Sequence, residues 1–294
     1  MFLKRIKFYS FFFLIFLNLN AVSADNYSKT NIIENIIIEF DKSKNRSWIK
    51  NLFEASVDVI DQNQTQTFFQ RIKKKYSRKW FYCYLIYKGE KYRAQIRIVG
   101  ELKDHLNLPT SSLKVKLKQG HISNITRFNL FLPRTRNNEK EVFWALLMNY
   151  LGLKSLYTQM VDISFMGTSY KAIFQEDTAK EYLERSGLKE TLILKQNDFY
   201  DFQLENKSEV FPEYYSLVIN NGSFLKNRKS IEIASNAISL FISSKEDEVV
   251  QNNKFFRMIN IKYASHGMLP HNRKFIYKPL EHMFEEIYYD GSVN

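Results

Sequence analysis

From residue 81 onward the apolar positions fall into short runs of period two, broken by glycine-bearing turns. Residues 81–87 and 90–99 flank Lys88-Gly89, and in the second run Ala94, Ile96 and Ile98 alternate with Arg93, Gln95 and Arg97. Such a pattern around a tight turn predicts a hairpin with one wet face. Strands are expected at 113–118 and 127–132. Residues 139–151 then carry apolar side chains at helical spacing, with Gly152 as the stop. Val161, Ile163 and Phe165 alternate up to Gly167-Thr168, and Tyr170, Ala172 and Phe174 alternate away from it, which predicts a second hairpin. A helix over 178–185, a strand over 191–195 and helices over 231–243 and 247–259 follow. The chain closes on two extended runs, 273–278 and 284–289. Upstream of residue 81, residues 29–60 read as mostly helical and 64–80 as a helix bearing Lys73-Lys74-Lys75, a charge run that reads as a solvated face before it reads as a binding patch.

No repeat and no long Pro/Gly/Ser linker interrupts this order, so it predicts one α+β domain over 25–294, with a first lobe over about 60–195 and a second part over about 196–294. With 45% hydrophobic residues, 16% aromatic, 9 Gly and 5 Pro, the chain has a core to bury and is neither disordered nor collagen-like. A single cysteine, Cys83, excludes an intramolecular disulfide; its aromatic neighbours make it a small hydrophobe in a strand.

The first residues carry an address. Lys4, Arg5 and Lys7 precede an apolar run, 8–19, and Val22-Ser23-Ala24 follows, which reads as a secretory signal over 1–24 cleaved after Ala24. The run is shorter than the roughly 20 residues that span a bilayer, so membrane contact is expected only where it stays uncleaved as an anchor. The whole chain carries +12, and removing the three positive charges of 1–24 leaves +9. A basic, exported protein of the periplasm or cell exterior meets an anionic partner. No nucleic-acid recognition motif accompanies the charge, and none is expected as a ligand.

The C-terminal runs offer candidate chemistry. Joined by a five-residue connection over 279–283, they should pair antiparallel with Lys278 opposite Phe284, which sets Asn272 opposite Asp290. An amide oxygen and a carboxylate on facing backbones can share one magnesium ion, whose remaining positions a nucleotide's phosphates would fill. The same residue types are common at turns. His266, His271 and His282 lie nearby, at a spacing that fits no familiar zinc site.

From about residue 92 to 294 the chain resembles the CotH-like kinases, an atypical protein-kinase-like family, in particular its exported bacterial members. The resemblance rests on residues 96–101 with Asp104-His105-Leu106, 113–117, 127–130 with 133–136, Phe174-Gln175-Glu176-Asp177, 193–195, His266-Gly267, His271-Asn272-Arg273 and Tyr288-Tyr289-Asp290-Gly291. It implies a kinase-like two-lobed fold that binds ATP with Mg²⁺. By the same resemblance Asp290 looks like the metal-binding aspartate and Asn272 like the asparagine that helps hold the metal. Glu176 looks like the acid that pairs with a phosphate-contacting lysine, for which Lys114 and Lys116 are the candidates. On the bland reading those two lysines are the solvent face of an edge strand. Where kinase relatives carry an aspartate as base, Ser265-His266-Gly267 stands here, and His266 is the candidate in its place. The chain ends four residues after Asp290, which reads as truncation relative to kinase-like sites.

The expectation is therefore an exported kinase-like protein that binds Mg-ATP and transfers phosphate to a protein or glycan hydroxyl in the cell envelope. The alternative is an inactive envelope module that binds acidic polysaccharide or a partner protein.

Overall fold

A computed structural model describes residues 32–64, 67–197, 216–251 and 253–291. The secretory signal expected over 1–24 and much of the polar stretch that begins near residue 196 lie outside the described residues.

The chain opens with strand β1 (Ile36–Glu39), helix α1 (Lys42–Val57), the hairpin β2 (Val59–Gln64) and β3 (Thr67–Ile72), and the short helix α2 (Lys74–Ser77). The hairpin β4 (Phe81–Tyr87) and β5 (Glu90–Ile98) is followed by the small ribbon β6 (Leu106–Asn107) and β7 (Thr110–Ser111). Then come β8 (Leu113–Leu117), β9 (Arg127–Phe131), helix α3 (Glu139–Tyr150), β10 (Lys154–Ser155), β11 (Thr158–Phe165) and β12 (Thr168–Glu176). The remainder runs α4 (Lys180–Arg185), β13 (Ile193–Asn197), β14 (Ser216–Ile219), α5 (Arg228–Ser243), α6 (Glu246–Val249), β15 (Val250–Gln251), α7 (Asn253–Tyr263), β16 (Lys274–Lys278) and β17 (Met283–Tyr288).

The α+β class holds, and the hairpins do more than pack: seven strands close into a barrel of order β1-β11-β12-β9-β8-β5-β4. Closure is the work of β1, which pairs in parallel with β11 (Ile36 opposite Ile163) and antiparallel with β4 (Ile36 opposite Tyr87). The barrel thereby has no free edge to offer another chain. Period two puts Ala94, Ile96 and Ile98 of β5 and Leu113, Val115 and Leu117 of β8 into one core with Phe128, Leu130 and Phe174. In a barrel this narrow side chains fill the interior. Trp48 of α1 is fully buried and meets Phe81 edge-on at 5.3 Å and Phe165 at 5.7 Å, so the helix is pinned to the barrel by an aromatic cluster.

A second sheet, ordered β10-β17-β16-β13-β14 with β15 also on β17, takes β10 from between the barrel strands β9 and β11 and its other strands from beyond the barrel in sequence. One of its faces packs Leu194, Phe275 and Phe284 against Ala234, Ala237 and Phe241 of α5. Its other face packs Ile193, Ile276 and Ile287 against Tyr182 and Leu183 of α4. Helix α5 starts on a reciprocal cap: Asn227 Oδ1 accepts from the Ser230 amide, and the Asn227 amide donates to Ser230 Oγ.

Three expectations are corrected. Residues 36–39 are a strand and not helix, because three consecutive isoleucines are β-branched and find partners on both sides in β4 and β11. Within residues 64–80, 67–72 form the second strand of the β2–β3 hairpin, and among the described residues only 74–77 make a helical turn, α2. The C-terminal ribbon pairs Lys278 with Met283 rather than with Phe284, a slip of one residue made by a four-residue connection whose last member, His282, adopts a left-handed φ of 49°.

Candidate functional site

The outer wall of the barrel carries a cleft of about 460 Å³ lined by Arg78, Trp80, Arg97, Lys114, Val115, Lys116, Arg127, Asp177 and Asn220. Its charge follows from alternation. On β8 the apolar Leu113, Val115 and Leu117 point into the core, so Lys114 and Lys116 must point out. Register then sets Arg97 of β5 opposite Lys114 and Arg127 of β9 opposite Lys116. Strand β8 lies between β5 and β9 and is not an edge strand, so its lysines belong to a continuous basic face.

One acid stands among these five cations. Asp177 follows β12; its amide donates to the Arg127 carbonyl at 3.0 Å and its carboxylate meets Lys114 Nζ at 2.6 Å. Burial works to raise its pKa, but Lys114 and Lys274 outweigh burial and hold it below the ordinary carboxylate value. Arg97 is anchored by donating to the Ser77 carbonyl at 2.6 Å, and its guanidinium lies 5.2 Å over the half-exposed Trp80 ring. Among the described residues Arg78, Lys116 and Arg127 have no ion-pair partner. Lys116 is pushed below its ordinary pKa first by Arg127 and then by burial, the mark of crowded positive charge that a bound anion would relieve.

Behind Asp177 lies a second polar cluster, at the end of β17. Lys274 of β16 is buried, with Nζ 3.7 Å from the centre of the Tyr289 ring. Burial pushes it down to about 7; Asp177 opposes this, while Lys195, Lys114 and Arg136 add to it. Arg136 Nη2 donates to the Tyr289 hydroxyl at 3.4 Å, and Arg136 Nε lies 3.3 Å from Asp290 Oδ1. Burial disfavours the guanidinium charge, but Asp290, Tyr289 and Glu141 overcome this and hold it above its ordinary pKa.

Glu141, on the first turn of α3, is fully buried and clasps the end of the chain. It accepts hydrogen bonds from the Tyr288 hydroxyl at 2.7 Å, the Asp290 amide at 3.2 Å, the Gly291 amide at 3.3 Å and Gln175 Nε2 at 3.3 Å. Burial, with Asp290 adding to it, pushes its carboxyl up to about 7. Asp290 itself takes a left-handed φ of 53°.

The sequence-derived residues are thus divided among three places. Lys114 and Lys116 line the basic cleft. His266, Asn272 and Asp290 fall in the second cluster: His266 Nε2 is 3.7 Å from Asp290 Oδ2, and Asn272 Nδ2 donates to the His266 carbonyl at 3.0 Å. Burial holds His266 below its ordinary pKa, with Asp290 opposing. Glu176 belongs to neither place. It faces the other way from Asp177 and forms an ion pair with Arg185, so the lysine–acid pair expected of Glu176 is made instead by Lys114 and Asp177.

Asn272 and Asp290 do not face one another across the ribbon as the expected register required. Asn272 sits in the short turn Pro270–Asn272, ahead of β16, and Asp290 beyond β17. As arranged these residues do not fit a divalent cation, because a buried guanidinium already stands against the Asp290 carboxylate where the metal's charge would lie. Among the described residues no three His, Cys, Asp or Glu side chains gather as a metal site. The residues missed from sequence are Arg97, Arg127, Asp177, Arg136, Glu141 and Lys274. Arg97 and Asp177 were visible, one on the wet face of the first hairpin and the other beside Glu176.

No protein-family model matches the chain. No curated protein matches it either.

Proposed function

We propose that this chain is an exported, kinase-related binding protein that takes the phosphates of a nucleotide into the basic cleft and does not transfer them through Asp290. The observation that carries this reading is the cleft itself. Five cations share it with one acid, that acid is spent on Lys114, and Arg78, Lys116 and Arg127 are left to meet an anion. Its volume of about 460 Å³ lies in the range of small-ligand sites. The resemblance to CotH-like kinases supplies the nucleotide, with the barrel as one lobe and the second sheet as the other. Lys114 would contact phosphate and Asp177 would hold it in place, as the acid of a kinase lysine–acid pair does. Because Arg136 neutralises Asp290, binding would not need Mg²⁺ at that residue.

A second reading keeps the cleft and changes the ligand. Trp80 presents an aromatic ring beside Arg78 and Arg97, a surface that also suits the rings and carboxylates of an acidic polysaccharide of the envelope.

Thermal unfolding in EDTA separates the two, since a ligand that binds only the folded chain raises its stability with the logarithm of its excess over Kd. ATP and tripolyphosphate at a hundredfold excess should each raise Tm by about 5 °C, and polygalacturonate should not. A response to polygalacturonate alone would transfer the cleft to the polysaccharide. A response to ATP that appears only with Mg²⁺, and vanishes in Asp290→Asn, would restore phosphoryl transfer at Asp290.

A further inference from the structure

Helix α1 has two faces of different chemistry. Trp48, Leu52 and Ala55 are buried against the barrel. The opposite face carries Ile49, Phe53 and Val57 at successive helical turns, exposed to 50%, 56% and 60%. At 3.6 residues per turn Arg46 and Lys50 fall among these apolar side chains, and both are exposed. The helix contains one acid, Glu54, which meets Lys50 at 3.7 Å. An apolar stripe interleaved with cations has a specific complement: apolar side chains enter the boundary of the acyl chains, while arginine and lysine reach up to anionic headgroups. A second copy of the same face would bring Arg46 and Lys50 against their own like charges, so self-association is disfavoured.

We propose that the outer face of α1 lies on an anionic lipid surface, with Ile49, Phe53 and Val57 in the acyl boundary and Arg46 and Lys50 at the headgroups. Three half-exposed apolar side chains bind weakly alone, and so do two cations; the surface works because they coincide. This site is separate from the basic cleft and does not depend on what the cleft binds.

The test places an environment-sensitive fluorophore on the full chain at Phe53→Cys, with Ile49→Cys as a second labelling position on the same stripe. Cys83 stays unlabelled because it is buried and burial pushes its thiol up to about 12. The control label is Ile242→Cys, exposed on α5. Vesicles of three parts phosphatidylglycerol to seven of phosphatidylcholine should shift the emission of the 53 and 49 labels to the blue and leave the 242 label unchanged. Arg46→Gln with Lys50→Gln should weaken that partitioning by roughly tenfold or more, at about 1 kcal/mol for each cation near an anionic surface. The proposal is overturned by an equal response to pure phosphatidylcholine, by an equal response at 242, or by no response at 53 and 49. A blue shift that needs no vesicles and grows with protein concentration would also overturn it, assigning the face to a protein partner.

Discussion

Arg136, Glu141 and Asp290 show how a single buried charge decides what its neighbours can do. Glu141 holds the last described turn through two backbone amides and the Tyr288 hydroxyl, and the Arg136 charge balances both acids. Removing one member of a buried ionic group strands the others, at a cost of about 3–5 kcal/mol. Arg136→Ala should therefore lower the unfolding free energy from urea titration by an amount in that range, whereas Arg228→Ala, on the exposed surface of α5, should change it hardly at all. Glu141 also gives a pH dependence of known sign. Its folded-state carboxyl titrates near 7, above the ordinary 4.5, so the native chain binds this proton more tightly than the unfolded chain. The group's contribution to stability is complete below pH 4.5 and is lost as pH rises through 7. Between those values wild type should lose at least tenfold in its folding equilibrium constant relative to Glu141→Gln, measured by urea titrations at pH 4.5 and 7.5. A slope that the substitution leaves unchanged would place the titrating group elsewhere.

At the level of elements, what the sequence disclosed depends on where each pairing partner comes from. The hairpins β4–β5 and β11–β12 were legible because alternation and a glycine-bearing turn agree: Lys88-Gly89 is a consecutive left-handed pair, as a two-residue hairpin turn requires, and the turn expected at Gly167-Thr168 falls one residue earlier, at the left-handed pair Met166-Gly167. Strand β1 was not legible, since its partners β4 and β11 arrive from distant parts of the chain and override a local pattern that reads as helix. The β16–β17 ribbon was found as a pair but set one residue out of register, because the left-handed His282 shortens the connection. That slip had the largest consequence for the candidate site. It removed the facing of Asn272 and Asp290 and with it the basis for a shared metal. The lysine–acid pair was likewise anticipated one residue away, at Glu176 instead of Asp177, and alternation sends those two side chains to opposite faces. A separate constraint sits just after β5. Gly100 has a φ of +100°, and a Cβ there would stand 2.1 Å from the His105 ring. Gly100→Ala should cost about 3 kcal/mol, read as a fall in the urea midpoint, because both the backbone and the buried ring would have to move.

Taken as a whole molecule, the chain sets a closed barrel beside a second sheet and gathers five cations with one acid on one outer wall. Among the described residues no helix is long and apolar enough to cross a membrane. The barrel was not legible from sequence, since nothing in the individual hairpins says that β1 will bridge the two ends of the sheet. The basic face was half legible, because alternation assigns each lysine and arginine to the wet side without saying that β5, β8 and β9 stand next to one another. Adjacency is what turns separate charges into a cleft. Binding of a polyphosphate there should weaken steeply with salt, with affinity falling by about tenfold or more between 0.05 and 0.5 M NaCl as the Debye length shortens. The most direct measurement is isothermal titration of ATP in EDTA at low salt, into wild type and into Lys116→Gln with Arg127→Gln. Expected is saturable one-to-one binding to wild type and a loss of roughly a hundredfold in the double variant, two charge-assisted contacts being removed. Equal affinity in both proteins, or no heat of binding in either, would contradict the assignment of the cleft to nucleotide phosphate.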